Sequence, residues 1–386
     1  MNSSWTRTVN ETLSTEATRV ATRAPDPFAG PLLTIEPWNF KLLATLMFLV
    51  TLLSLCENFL VLLVTYRYKQ LRQPLNYILL NLCLADFLVS LIGGSLSFIT
   101  NLYGYFVLGA WACVLEGFAV TFFGIVALWS LAVLAFERYF VICRPLGNIR
   151  LQGKHAALGI VFIWVFSFIW TIPPTIGWSS YTVSPIGTTC EPNWYSGEFH
   201  DHSYIIALFT TCFIFPLLVI SVSYGKLLRR LRKVANTQGR LGTARKPEKQ
   251  VTRMVVVMIV AFLFCWCPYA VFSITVTICP TIKLDPQLTA IPAFFSKTAT
   301  VYNPVIYVFM NGQFRKCLLQ MFSLSEPEIN PTLEHVMPAG NNNEREMSTI
   351  ATRVTSYSNT ATKHEEGNKR ETFAQLPIPE NEVYPV

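Results

Sequence analysis

Apolar residues along this chain fall in long blocks at 42–66, 77–100, 112–142, 156–177, 204–224, 254–278 and 287–310, separated by short polar stretches. Each block has about 20 residues or more, enough to cross a hydrocarbon core as a helix. A spanning helix needs such a continuous block, because it must satisfy its own backbone inside lipid. The pattern predicts an all-α membrane protein, a seven-transmembrane helix bundle over 39–311 with its two termini on opposite sides. Directly after the last block, NGQFRKCLLQMF predicts a short amphipathic helix on the membrane surface over 312–322. Cys317 within it is a palmitoylation candidate. Residues 1–38 are expected to form a tail. Residues 323–386 turn polar, with Pro331, Asn341 to Asn343 and runs of Ser, Thr and Glu, and are expected to be disordered.

Composition strengthens the membrane reading: 52% of the residues are hydrophobic and 14% charged, where a soluble domain carries about 25% charged residues. A net charge of +7 invites a nucleic-acid partner, but the basic residues sit in short loops between apolar blocks and call for none. Arg67, Lys69 and Arg72 follow the first block, Arg144, Arg150 and Lys154 the third, and ten more run from Lys226 to Arg253 after the fifth. The loops on the other face hold only Lys283. This positive-inside bias predicts a multi-pass cell-membrane protein with an extracellular N-terminus and a cytosolic C-terminus. The sequons at Asn2 and Asn10 then fall outside, as glycosylation requires. MNSSWTRT has no apolar stretch like a signal peptide, so the first span is expected to be its own insertion signal.

Most of the ten cysteines lie within spans. Cys113 and Cys190 instead lie on the outer, oxidising face, where a disulfide between them is expected to pin the second outer loop over the bundle. Cys265 and Cys267 form a CxC pair in an apolar helix without other ligands, so no metal site is expected there. The five His residues form no metal or catalytic pattern.

Ionisable groups inside spans are costly and need a partner or a purpose. Lys297 lies near the middle of the seventh block, IPAFFSKTATVYNPVIYVFM. It is either a lysine paired or snorkelling within a polar cavity, or an amine that forms a Schiff base with an aldehyde ligand in an apolar pocket. Glu116, in WACVLEGFAV, is the carboxylate best placed to pair with a buried cation there. Asp86, Asn58 and Asn303 lie at levels that suit a hydrated polar cluster, serving as interhelical hydrogen bonding, as an ion-sensitive switch, or both. Glu57 sits mid-span with no evident partner.

Three motifs then appear in order on the third, sixth and seventh spans. They are Glu137-Arg138-Tyr139 in LAFERYFVICRP, Trp266 and Pro268 in FCWCPYA, and Asn303-Pro304 with Tyr307 in VYNPVIYVF. They resemble the D/ERY, CWxP and NPxxY motifs of rhodopsin-like G-protein-coupled receptors. FFSKTATVYNPVIY resembles the retinal-binding signature of opsins, and the resemblance covers roughly 38–322. Runs such as PLNYILLNLCLADFLVS, LEGFAV and CEPNWY are similar to those of the non-visual, pinopsin-like vertebrate opsins.

The resemblance implies a light-activated receptor that binds 11-cis-retinal on Lys297 as a protonated Schiff base, with Glu116 as counterion. It places Val120, Thr121, Gly124, Leu208, Cys212, Phe213, Phe262, Trp266, Tyr269 and Ala293 at pocket positions. Ile125 and Cys212 depart from rod rhodopsin's glutamate and histidine. Ser184 stands where many opsins carry a second glutamate, which leaves Glu116 as the only obvious counterion. Photoisomerisation is then expected to strain the ligand against Trp266 and to end the ion pair, so that the sixth helix swings outward. Arg138, released from Glu137 and Glu248, would open an inner cleft. The implied partners are a heterotrimeric G protein of the inhibitory or transducin class, with a receptor kinase and arrestin at tail residues such as Ser356, Ser358 and Thr360, or else that tail is a solvated linker. Rival readings are a ligand-gated receptor of the same fold, a retinal photoisomerase, and a transporter or channel. Intact motifs and basic inner loops argue against the second, and the lack of paired repeats against the third.

Overall fold

The computed structural model describes residue 26 and residues 28–143, 153–237 and 246–322. Asn2 and Asn10, the inner-loop residues Arg144 and Arg150, and the tail residues Ser356, Ser358 and Thr360 lie outside the described residues. Helix α1 (Pro37–Arg67) and helix α2 (Pro74–Tyr103) both open on proline, whose missing N–H costs nothing in a first turn. Gly104, at φ 78°, closes α2 in the left-handed conformation that lets the chain reverse. Helix α3 (Gly109–Cys143) and α4 (Gly153–Thr171) follow. A short antiparallel hairpin, β1 (Tyr181–Val183) and β2 (Cys190–Pro192), pairs Val183 with Cys190. Helix α5 comprises Phe199–Phe209, a wide π turn at Thr210–Ile214, and Phe215–Thr237. A second π turn, Val89–Gly94, interrupts α2. Helix α6 (Lys246–Ile278) contains Pro268, and α7 (Pro286–Met310) contains Pro292 and Pro304. Asp285 caps α7 by accepting from the Gln287 amide at 2.9 Å.

Among the described residues, six helices, α1 to α6, are long and apolar enough to cross a membrane. Helix α7 has 25 residues, or about 37 Å at 1.5 Å per residue, so it also reaches across. Lys297 and Asn303 dilute its apolar character. Helix α3 is the axis of packing: Val126, Leu131, Ala132 and Leu134 are wholly buried. Large apolar side chains such as Leu49, Phe59, Leu158, Ile169, Phe264 and Val271 point outward, an arrangement that suits a lipid surround. Two devices hold the hairpin against α3. One is the Cys113–Cys190 disulfide, with Cα atoms 5.2 Å apart. The other is Gly117, where a Cβ would come within 2.6 Å of the Tyr181 ring.

Helix α8 (Gly312–Met321) is capped by Asn311, which accepts from the Phe314 amide at 3.1 Å. Phe314 is wholly buried against Tyr307, ring centroids 4.8 Å apart. The same face carries Cys317 inward. The thiol of this palmitoylation candidate has no exposed surface and accepts from Gln70 Nε2 at 2.8 Å. Burying Phe314 and Cys317 together is what docks α8 on the bundle.

Candidate functional site

Lys297 and Glu116 meet in the interior. Lys297 Nζ donates to Glu116 Oε1 at 2.8 Å, to Thr189 Oγ1 at 2.9 Å and to Ser97 Oγ. Glu116 is fully buried and Lys297 is 8% exposed. The carboxylate accepts three further bonds, from Ser97 Oγ at 2.5 Å, Thr189 Oγ1 at 3.2 Å and the Cys190 amide at 3.0 Å. Each hydroxyl thus accepts from the amine and donates to the carboxylate. Either ion alone would be very costly at this depth; together, with their remaining valences filled, they can be buried. Four elements build the cluster: α2 brings Ser97, α3 Glu116, α7 Lys297, and the loop leading into β2 brings Thr189, with the Cys190 amide at the start of that strand.

Beside this cluster lies a cavity with almost wholly apolar walls, the kind of lining small-molecule sites commonly have. Helix α3 contributes Val120, Thr121 and Gly124 to it, α5 Leu208, Cys212 and Phe213, and α6 Phe262, Trp266 and Tyr269. Those nine residues, placed at pocket positions by the resemblance, line one cavity. Ala293 is not among them; with Lys297 it lines a smaller void. At the start of β2, neighbouring residues line the two voids, Thr189 the smaller and Cys190 the larger. Trp266 stacks on Phe262 at 5.6 Å and lies over Gly124, where a Cβ would sit 2.9 Å from the indole. Gly124 is therefore what lets the indole close this part of the cavity. An elongated apolar aldehyde fits these residues: apolar walls for its chain, and a buried amine with its carboxylate beside one end.

Towards the other end of the bundle, Arg138 is held by Glu137, through Nη2 to Oε1 at 2.5 Å and Nε to Oε2, with both side chains buried. Glu248 lies in the first turn of α6, and its side chain is outside the described residues. Tyr139 carries Lys226 Nζ over its ring at 5.7 Å. Asn303 donates to Asp86 at 2.8 Å. Asn58 turns instead to the Thr300 carbonyl at 2.9 Å and to Ser54. The expected polar cluster is thus two adjoining sets of bonds. Pro304 and Tyr307 follow on α7, both buried. Glu57 is partly buried, and its Oε2 has no hydrogen-bond partner among the described residues. Among the described residues, no cluster of three His, Cys, Asp or Glu could hold a metal ion.

Three site residues were not singled out from the sequence: Ser97, Thr189 and Glu191. Small hydroxyl residues in an apolar helix or a loop carry no signal until the fold brings them to an ion. Glu191 had a faint one, a carboxylate directly after a cysteine expected to be pinned over the bundle. It lines the large cavity, and only 5% of its surface is exposed. Glu116 is therefore not the only buried carboxylate of the site.

The model of the seven-transmembrane receptors of the rhodopsin family matches residues 57–307. Opsin-VA of Rutilus rutilus is 68% identical over 369 residues, covering 94% of this chain and 97% of that protein. Vertebrate ancient opsin of Salmo salar is 70% identical over 305 residues, covering 79% and 94%. Pinopsin of Columba livia is 52% identical over 302 residues, covering 78% and 86%. Squid rhodopsin, at 24% identity, superposes with a TM-score of 0.71 over 80% of this chain and 94% of that structure, which supports the fold.

Proposed function

Since this chain belongs to the rhodopsin family of seven-transmembrane receptors, and within it to the opsins, we propose that its light response is built on Lys297, as the covalent site for 11-cis-retinal, with Glu116 as counterion. Opsins of this family are multi-pass membrane receptors that sense light with a retinal chromophore and couple to G proteins; the finer assignment to residues is what is proposed. The observation that carries it is the buried pair at 2.8 Å between Lys297 and Glu116, beside a cavity with apolar walls. Retinal supplies the aldehyde that condenses with the amine, the visible absorption and the change of shape on illumination.

The chain's own groups do the rest. Glu116, with Ser97 and Thr189, holds a proton on the Lys297 nitrogen. Trp266 on Gly124 forms the cavity wall against which a change of ligand shape presses. Pro268 lies two residues further along α6, where a missing backbone bond leaves the helix easier to bend. At the other end Glu137 restrains Arg138, and Arg229 to Lys233 continue α5 as a basic edge for an acidic face of a G protein. The inhibitory or transducin class is the proposed partner, with a receptor kinase and arrestin acting on the C-terminal tail. The basic inner loops orient the N-terminus outward and the C-terminus to the cytosol.

The test is the absorption spectrum of purified chain loaded with 11-cis-retinal. A visible band is expected, and Lys297→Ala is expected to abolish it together with the covalent adduct seen after reduction and mass mapping. An adduct that survives Lys297→Ala would place the ligand on another residue.

A further inference from the structure

We infer that Glu191 is a second carboxylate of the chromophore cavity, and that its charge sets where in the visible the pigment absorbs. The inference rests on the reading that retinal extends from Lys297 into the large cavity.

Glu191 is fixed twice: by the neighbouring disulfide of Cys190 to α3, and by the β1–β2 pairing that sets it opposite Thr182. That geometry turns its side chain down into the bundle. Oε1 accepts from the Tyr195 hydroxyl and Oε2 from the Tyr269 hydroxyl, each at 2.5 Å. Tyr269 belongs to α6 and lines the same cavity. The ion pair of the site makes no use of Glu191, because Lys297 is already matched by Glu116.

The titratable groups facing Glu191 are Tyr195 on its own loop, Tyr269 on α6, Lys297 on α7 and, close to Tyr269, Glu116 on α3. Burial raises the Glu191 carboxyl above its ordinary value, which is the largest influence. The hydroxyls of Tyr195 and Tyr269 and the charge of Lys297 oppose it. Its ionisation therefore falls above the ordinary glutamate range of about 4.3. Excitation of a conjugated chain with a protonated nitrogen at one end moves positive charge away from that nitrogen. Glu116 sits at the nitrogen and favours the ground state. Glu191 lines the wall further along, where a negative charge favours the excited state and so lengthens the wavelength.

The experiment is a pH titration of the dark absorption band in pigments made from the unmodified chain and from Glu191→Gln, both loaded with 11-cis-retinal. The unmodified pigment is expected to move to longer wavelength as pH rises while staying in the visible. Glu191→Gln is expected to hold one position across the same range. Tyr269→Phe and Tyr195→Phe each remove a donor to the carboxylate, so each should move the midpoint up by about one to two pH units; they carry the test if Glu191→Gln does not fold. An unmodified band that does not move with pH while it remains visible would overturn the inference, as would a shift that persists undiminished in Glu191→Gln. A chain that forms no visible band at all would overturn the retinal assignment as well, so the two failures are distinguishable.

Discussion

Replacing Glu116 with Gln keeps the shape of the side chain and removes its charge. Glu116 is wholly buried and its partner amine lies 2.8 Å away, so little water is available to screen the loss. Breaking a buried pair by removing one partner costs about 3–5 kcal/mol, which corresponds to about 2–4 pKa units on the remaining group at 1.36 kcal/mol per unit. In the Schiff base the nitrogen keeps one N–H, which Ser97 or Thr189, both within reach of it, can accept once the carboxylate is gone, and that puts the expected change at the lower end of that range. The sign follows from which form the anion favours. Glu116 stabilises the protonated linkage, so without it the proton leaves at lower pH. The visible-absorbing form exists below the pKa of the nitrogen and is lost as pH rises through it. In Glu116→Gln that loss should begin about two units earlier, with ultraviolet absorption growing in its place. Absorbance titration of the two loaded pigments measures it directly. A displacement of less than about one unit would refute the assignment and move the counterion role elsewhere, with Glu191 the first residue to try.

Gly124→Ala should force the Trp266 indole aside, since the new Cβ would stand 2.9 Å from it; overpacking of this kind costs about 1–3 kcal/mol and would show as a lower melting temperature with a displaced visible band. Glu137→Gln should raise nucleotide exchange in the dark, because Arg138 is held through two nitrogens by that one carboxylate, whereas Arg138→Ala should weaken light-driven exchange with little change in the dark spectrum. Cys190→Ser opens a link between positions 77 residues apart and should lower stability by about 2–4 kcal/mol, measured by thermal denaturation; equal stability in the variant and the unmodified chain would show that Gly117 and the Glu116–Cys190 amide bond suffice to hold the hairpin.

Spans and ion pair were both legible in the residues because each rests on a cost that lipid makes large. Continuous apolar blocks have few alternatives in a bilayer, and Lys297 and Glu116 each stood out as a charge where none is tolerated alone. Helix α7 was readable as a span although Lys297 and Asn303 weaken its apolar character, since the residues around them remain apolar. What could not be read depended on loop conformation and helix rotation. Glu191 looks like any exposed loop glutamate until the disulfide and the hairpin turn it inward. Thr189 acquires its role only because the loop before β2 brings it within reach of Glu116 on α3 and Lys297 on α7. Cys317 lies on a helix whose sequence is amphipathic, yet which side of it meets the bundle is decided by Phe314 against Tyr307. Ala293, expected at a pocket position by resemblance, lies with Lys297 on the smaller void.

The π turn of α5 at Thr210–Ile214 fits one more residue into the helix than a regular turn would hold. Its outer half sets Leu208 on the cavity, and its inner half sets Lys226 on the ring of Tyr139. The extra residue is taken up within that one turn, so the helix on either side keeps its direction. Cys212 and Phe213 stand inside the wide turn and on the cavity wall. Deleting a single residue within 210–214 would return the turn to regular winding and move those two side chains, while Lys226 stays on Tyr139 and the stripe from Arg229 to Lys233 faces as before. The length of this segment, as much as its side chains, is thus a determinant of the ligand wall alone.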